Sequence, residues 1–244
     1  MAKAAQQLET GEGSGAAPLP TLAIADAVSH NLAGQRLGRK GRDTRDRIIA
    51  AAVELIYCSP AETQVSLSAV ARQANLGMTS LYNYFSDLPE LLLALLEGVM
   101  TTAEEHYLAL MRTRWPNEEL VERCYQFVSG YHGFWTRHTR LLHLRNSLSD
   151  NGDQRMIDQR VGATQPIIRR IVEQMDGDPR APRSPEFAMA TVLMIGIERS
   201  VTIATDRELP MLIAQDIQHD GGHFLRPCAR LMEMAIWDMR RGKA

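Results

Sequence analysis

Apolar side chains recur at helical spacing along most of this chain, from Thr44 to its last residues. No segment of useful length shows the strict alternation of apolar and polar residues that predicts a half-buried strand, and the chain has no repeat and no coiled-coil heptads. Hydrophobic residues make up 45% of its 244 residues, which is enough for a core of ordinary size. The sequence therefore predicts an all-α protein.

Changes in composition divide the chain into a tail, a head and a body. Residues 1–37 contain GEGSG and PLP and little sustained periodicity, so we expect a disordered tail, with a short helix over residues 21–31 as the alternative. Residues 38–100 contain short helical segments separated by turns, and we call them the head. Residues 101–244 contain longer helical segments, and we call them the body.

The head contains a predicted helix-turn-helix at about residues 64–83. Thr44 is the expected N-cap of the first helix of the head, and Ser66 is the expected N-cap of the second. Asn75-Leu76-Gly77 predicts a tight turn, because Asn tolerates a left-handed backbone and Gly has no Cβ. A short third helix over residues 78–84 follows. Two short helices joined in this way are the minimum for reading a major groove.

Specific residues strengthen this interpretation. The head has Thr44-Arg45 before Ile48-Ile49-Ala50-Ala51-Ala52, then Val65-Ser66 and Val70-Ala71, then Leu81-Tyr82-Asn83-Tyr84-Phe85 followed by Leu91. In these residues the stretch from Thr44 to Met100, about a quarter of the chain, resembles the DNA-binding head of the TetR family of bacterial transcriptional regulators. The resemblance implies a three-helix head that binds a palindromic operator in double-stranded DNA. It also implies a helical body that binds a small-molecule effector and forms a homodimer.

The resemblance places the DNA contacts on both helices of the helix-turn-helix. Ser66 matches a phosphate contact at the start of the second helix, and Met78 matches the start of the recognition helix. Tyr82 and Tyr84 match aromatic residues whose hydroxyls meet phosphates, with core packing as the alternative for each, and Phe85 matches a core anchor. The predicted DNA-binding residues of this unit are Ser66, Arg72, Met78, Thr79, Ser80, Tyr82, Asn83 and Tyr84.

The head also departs from the family pattern. Leu88 stands where the family usually has Lys, and Arg72 is the only basic residue between Ser66 and Leu88. The run Arg36–Arg47 holds six basic and two acidic residues, so we expect it to supply the missing charge as a flexible arm. The arm residues predicted to contact DNA are Arg39, Lys40, Arg42 and Arg45, of which the first three could enter a minor groove. A solvated charge run is the alternative.

The body contains a candidate ligand pocket. Aromatic residues are frequent in the predicted helix that ends near Trp135. Aromatic side chains with a few polar groups among them suit a pocket for a lipophilic or aromatic effector. Simple core packing is the alternative. The predicted pocket residues are Met111, Tyr125, Phe127, Tyr131, His132, Trp135 and Met194. In the following helix, Gly162 and Pro166 predict a kink or a break.

The body also contains a candidate dimer interface. The segment Phe187–Ile203 is apolar nearly all round, so we expect it to be buried on most sides. With the last helix, near Pro227 to Arg240, it could form a four-helix interface between two chains, and burial within one chain is the alternative. The predicted interface residues are Gly196, Ser200, Leu231 and Ala235. We interpret Glu198 and Arg199 as members of a buried or intersubunit ion pair.

Several other classes of protein are disfavoured. The three cysteines are widely spaced, so we expect a reducing cytoplasm rather than a disulfide framework. The N-terminus has no apolar signal region, and the uncharged apolar run Phe187–Ile197 is shorter than the roughly 20 residues that span a bilayer. His219 and His223 are separated by Gly221-Gly222, so we predict no metal site there. With no catalytic motif we predict neither an enzyme nor a cofactor.

The sequence predicts a DNA-binding transcriptional regulator, a repressor released by its effector, and leaves two alternatives open. In the first, the same fold organises DNA or responds to a protein partner without a metabolite. In the second, the chain is a helical ligand-binding protein or enzyme whose head no longer binds DNA, which Leu88 and the sparse basic residues of the head support. The net charge of −2 means that any nucleic-acid surface must be local.

Overall fold

The computed structural model describes residues 34–60, 62–206 and 224–242. Within these ranges the chain forms nine α-helices and no strand element, so the predicted all-α class is confirmed. Residues 1–33, with the expected helix over 21–31, and His219 and His223 lie outside the described residues. The helices are α1 (Arg39–Tyr57), α2 (Leu67–Gln73), α3 (Met78–Tyr82), α4 (Leu88–Thr101), α5 (Leu120–Arg137), α6 (Thr139–Asp150), α7 (Gln154–Gln174), α8 (Pro185–Thr205) and α9 (Leu225–Arg241).

The four helices of the head pack around one apolar core. Ile48 of α1, Val70 of α2 and Leu81 of α3 are fully buried, and Phe85 anchors the end of α3 as predicted. The inner face of α4 is fully buried as well. Its members are Leu91, Leu92, Leu95, Leu96 and Val99. The head is therefore held together by the helical apolar pattern that the sequence displays.

The predicted start of the second helix of the head is confirmed, and α4 begins in a similar way. Ser66 caps α2, because its Oγ accepts a hydrogen bond from the Ala69 amide at 3.2 Å. Asp87 caps α4 in the same way through the Glu90 amide at 2.9 Å. In the turn between α2 and α3, Asn75 has a φ of 52° and supplies the predicted left-handed backbone.

The predicted start of α1 and the predicted end of α3 are wrong. The first helix begins at Arg39 with Gly38 as its N-cap, and the Thr44 hydroxyl donates to the Lys40 carbonyl at 2.9 Å inside the helix. The basic residues before Thr44 are good helix formers, and their propensity outweighs the cost of the glycine among them. The third helix ends at Tyr82 rather than at residue 84.

The helix α7 runs unbroken through Gly162 and Pro166, so of the predicted kink or break the break is wrong. A proline within a helix removes one hydrogen bond to the carbonyl four residues earlier, which here belongs to Gly162. Gly162 and Pro166 are both exposed, so water can hydrate the freed carbonyl. The helix can therefore absorb the proline without ending.

The approach of α5 to the segment after α4 requires a glycine. This segment contains a π-helix, Glu104–Leu108, and two short 3-10 turns, Ala109–Met111 and Asn117–Glu119. A Cβ added to Gly130 of α5 would lie 2.5 Å from the His106 carbonyl oxygen, which is backbone and cannot rotate away. Gly133, on the same helix, has nothing within 4 Å of such a Cβ.

We expect Gly130→Ala to lower the free energy of unfolding by about 1–3 kcal/mol, because the new methyl group forces α5 and the π-helix apart. Gly133→Ala is the matched control, and we expect it to raise stability by up to about 1 kcal/mol, since alanine is the better helix former. Urea denaturation of the two variants measures the difference. Equal effects of the two substitutions would contradict the close approach.

Candidate nucleic-acid interface

The helices α2 and α3 form the helix-turn-helix that the sequence predicts. The amides of Asn75 and Leu76 close the end of α2 by donating to the carbonyls of Arg72 (3.1 Å) and Ala71 (2.9 Å). Gly77 is the N-cap of α3 and has an extended backbone. It therefore does not adopt the positive φ that glycine tolerates. Leu81 is fully buried against the head core and fixes α3 beside α2. The opposite face of α3 is left open.

The exposed face of α3 carries most of the predicted base and phosphate contacts. Thr79, Ser80, Tyr82 and Asn83 are exposed, and 48% of Tyr82 is accessible to solvent, which argues against its being a core residue. Two of the predicted contact residues are less accessible to solvent. Met78 and Tyr84 are half-buried and pack against the head core. On α2, Arg72 is exposed and Ser66 is half-buried.

The predicted flexible arm is wrong for the residues that were assigned to DNA. Arg39, Lys40 and Arg42 lie on α1 and are exposed, so they belong to a helix rather than to an extended arm that could enter a minor groove. Arg45 lies over the ring of Phe85, with its guanidinium carbon 5.4 Å from the ring centroid. None of these four cations forms an ion pair with a described carboxylate. The start of α1 is therefore a basic helical surface on the head.

Leu88, at the start of α4, is half-buried and packs against the core. The polar groups around it are acidic. Glu90 accepts hydrogen bonds from the amide (2.6 Å) and the hydroxyl (2.7 Å) of Ser86, and Asp87 caps the helix. This position therefore adds no cation to the surface of the head.

An arginine of the body, Arg140 on α6, holds the end of α1. Its guanidinium donates to the carbonyls of Leu55 (2.9 Å), Ser59 (3.2 Å) and Thr63. A cation at a helix C-terminus satisfies carbonyls that have no partner within the helix and interacts favourably with the helix dipole. Sequence reasoning missed Arg140, because nothing in the local sequence connects it to residues so far away along the chain.

Two further polar contacts join the head to the body. Arg155, at the start of α7, donates to both carboxylate oxygens of Asp87, at 3.1 and 2.9 Å, and so links the first turns of α7 and α4. The Tyr57 hydroxyl at the end of α1 lies 2.8 Å from Nδ1 of His138. Burial lowers the pKa of His138 to about 4, so the imidazole is neutral in this contact at physiological pH. The head is therefore fixed to α6 and α7.

Five of the seven residues of the predicted effector pocket are buried in the core. The rings of Phe127 and Tyr131 stack with centroids 6.3 Å apart, and Trp135 lies 6.3 Å from Tyr131. These three residues, like Met111 and Met194, are buried in the core. In the structure these residues pack as the core-packing alternative describes, because a stripe at helical spacing faces inward whether it meets a ligand or other side chains.

Two predicted pocket residues lie outside this cluster. His132 is half-buried, and burial lowers its pKa. Tyr125 lines a shallow surface cleft of about 180 Å³, where the guanidinium carbon of Arg226 lies 5.3 Å from its ring centroid. The seven predicted residues therefore do not share one environment.

A buried ion-pair network lies near Trp135. Arg145 is buried, donates to Asn146 Oδ1 at 2.9 Å and lies 3.6 Å from Glu198. Glu198 also accepts from Arg160 at 3.1 Å. This confirms the interpretation of Glu198 as part of a buried ion pair, whereas Arg199 is exposed. Pairing makes these charges tolerable inside the body, because each would otherwise be desolvated without compensation.

The prediction that α8 is buried on most sides is wrong for a single chain. Val192 and Ile195 are 66% and 61% exposed, because α5, α7 and α9 cover α8 from one side only. On α9, Leu231 (61%) and Met234 are also exposed. Among the predicted interface residues Gly196 is also exposed, while Ser200 and Ala235 are half-buried. By length and composition alone, α8 could also cross a membrane.

Comparison with known proteins gives a match among solved structures. No family model and no curated protein matches the chain. The fold is similar to the crystal structure of a TetR-family transcriptional regulator from Streptomyces coelicolor, with 19% sequence identity and a TM-score of 0.47. The similarity covers 83% of this chain and 80% of the other. At this identity the likeness concerns the fold alone.

We expect Arg140→Met to lower the free energy of unfolding by about 2 kcal/mol or more, because several backbone carbonyls lose a charged donor while the apolar stem is kept. Arg137→Met, at the exposed end of α5, is the matched control and should change stability little. Thermal denaturation measures both. If the two variants melt at the same temperature, Arg140 does not hold the head to the body.

Proposed function

We propose that this chain is a transcriptional regulator of the TetR family, a homodimer that represses by binding a palindromic operator in double-stranded DNA. A small-molecule effector bound by the body would release it. The observation that carries the proposal is the open surface of α3 and its C-cap Asn83, where Thr79, Ser80, Tyr82 and Asn83 are exposed to solvent. Side chains of these types at a recognition helix can bond to base edges and phosphates.

The cations of α1 support DNA binding by the head. Arg39, Lys40 and Arg42 are exposed and have no described acidic partner, so they are available to phosphates. Neutralising DNA phosphates supplies most of the non-specific affinity of a protein for DNA. The positive charge of these three residues therefore matters more for DNA binding than the net charge of −2 of the whole chain. Because these residues are helical, we propose that they contact the phosphate backbone beside the recognition helix rather than a minor groove.

The exposed apolar face of α8 and α9 supports a homodimer. We call the exposed apolar residues Val192 and Ile195 of α8 and Leu231 and Met234 of α9 together the α8–α9 face. Apolar surface that one chain leaves open marks an interaction site, and a second copy of the same two helices would cover it in a four-helix interface. We expect Gly196, Ser200, Leu231 and Ala235 in that interface. Arg199 is exposed on α8, which makes a second copy a better cover than lipid.

The contacts between head and body support regulation by a ligand. Arg140 of α6 and Arg155 of α7 hold the ends of α1 and α4, so a shift of α6 or α7 has to move the head or break these contacts. Two recognition helices must lie about 34–36 Å apart to reach successive major grooves. An effector that prefers a body conformation with a different separation therefore weakens DNA binding by its differential affinity.

This function implies a cytoplasmic protein without enzymatic activity or cofactor. One observation favours the second alternative, a ligand-binding protein that does not bind DNA. Leu88 packs against the core, and Asp87 and Glu90 bring negative charge to the start of α4. Arg155 pairs with Asp87 and also with Asp153, so it offsets only part of the repulsion of phosphates by this carboxylate. DNA affinity decides between the two functions.

We expect Tyr82→Phe to weaken binding to a duplex selected by this protein by about tenfold, because one hydrogen bond to a charged phosphate is lost while the ring is kept. Replacing Arg39, Lys40 and Arg42 together by alanine should lower the slope of log affinity against log salt by up to about 2.7. Fluorescence anisotropy at several salt concentrations measures both effects. Tyr125→Phe, in the body, is the control and should bind DNA as the wild type does.

Two results would count against this assignment of DNA contacts. One is wild-type affinity and salt dependence in the triple alanine variant. The other is equal loss of affinity in Tyr82→Phe and Tyr125→Phe, since that would indicate a general effect of losing a hydroxyl.

We expect Ile195→Arg to convert the homodimer to a monomer, because it places a charge in the centre of the α8–α9 face. Val121→Arg is the matched control, as Val121 is 63% exposed on α5, outside that face. Sedimentation velocity at micromolar concentration measures the mass of each. A monomeric wild type, or a dimeric Ile195→Arg variant, would contradict the proposed interface.

A further inference from the structure

A cleft of about 740 Å³ opens between the second half of α7 and the segment that leads into α8. It lies apart from the aromatic core of α5, where the sequence predicts an effector pocket. Its apolar lining includes Phe187 of α8, Pro166 of α7, and Pro179 and Pro182 of the connecting segment. The volume falls within the range of small-molecule sites. The cleft can therefore accept a ligand with an aromatic ring.

The wall of the cleft is built rigidly. The connecting segment begins at Asp176, whose carboxylate accepts two hydrogen bonds from Arg114, at 2.5 and 2.8 Å. Gly177 follows, where an added Cβ would lie 2.8 Å from Val172 Cγ1, so the segment lies close against α7. Prolines restrict the rest of the segment before Ser184 caps α8. A preformed wall reduces the ordering cost of binding a ligand.

The charge of the cleft is positive and only partly compensated. Arg169, Arg170 and Arg180 line it together with one carboxylate, Glu173. Glu173 pairs with Arg170 at 2.9 Å. The guanidinium groups of Arg169 and Arg180 form no ion pair or hydrogen bond with a described residue. Guanidinium groups bind carboxylates and phosphates through two parallel hydrogen bonds, so two of them are free for an anion.

We propose that this cleft binds a small molecule that carries both an aromatic ring and an anionic group, a carboxylate or a phosphate. The ring lies against Phe187 and the prolines, and the anion is held by Arg169 and Arg180. The pairing of an apolar floor with uncompensated arginines selects such a molecule over a neutral aromatic compound, which gains only the apolar contact. Binding at the cleft is independent of whether the head binds DNA.

The experiment is isothermal titration calorimetry of the full chain, without DNA, with 2-naphthoate and with its neutral analogue 2-naphthylmethanol. We expect one 2-naphthoate per chain, bound at least about tenfold more tightly than the alcohol, because each charged hydrogen bond contributes to affinity. Replacing Arg169 and Arg180 together by alanine should remove this preference for the anion. Arg183→Ala is the matched control, since Arg183 is an exposed arginine of the same segment that does not line the cleft.

Three results would overturn the proposal. They are the absence of saturable binding at millimolar 2-naphthoate, equal affinity for the acid and the alcohol, and an equal loss of affinity in Arg183→Ala and in the double variant. Arg169 and Arg180 are both exposed, so we expect their alanine variants to fold, and matching melting temperatures check this.

Discussion

The buried apolar face of α4 is the constraint on which the rest of the structure depends. Leu91, Leu92, Leu95, Leu96 and Val99 are fully buried, and the helix contacts α1 in the head and α6 and α7 in the body. The head and the body therefore share one core, and neither can rotate freely against the other. Arg140 and Arg155 add directional contacts at the ends of α1 and α4. A close-packed core joined in this way transmits displacement, because it cannot deform continuously.

Local chemistry explains which features the sequence could predict. The caps of α2 and α4 and the left-handed turn at Asn75 depend on one side chain and its nearest backbone, so Ser66 and Asp87 can be identified from neighbouring residues alone. Arg140 could not be predicted, because it meets carbonyls that only the tertiary fold brings to it. The predicted start of α1 is wrong because Thr44, a good capping residue, lies inside a longer helix.

Helical periodicity shows which side of a helix is covered, but it does not show what covers it. In α5 the periodic aromatic residues, such as Tyr131, meet one another, so the expected pocket is part of the core. In α8 the apolar residues on all sides predict burial, but Ile195 is exposed to solvent in the single chain. A second copy would account for the composition of α8. The cleft beside Arg169 and Arg180 has no periodic signal, since a loop forms one of its walls.

Selection of bound duplexes from a random DNA pool, followed by anisotropy on the enriched sequences, tests the central claim most directly. The account predicts a palindrome with half-sites one helical turn or a multiple of it apart, about 10–10.5 base pairs per turn, bound by a dimer. It also predicts a Kd of about 10⁻⁸ M or tighter at moderate salt. Weak binding that ignores sequence and disappears as the salt concentration rises would contradict a sequence-specific regulator.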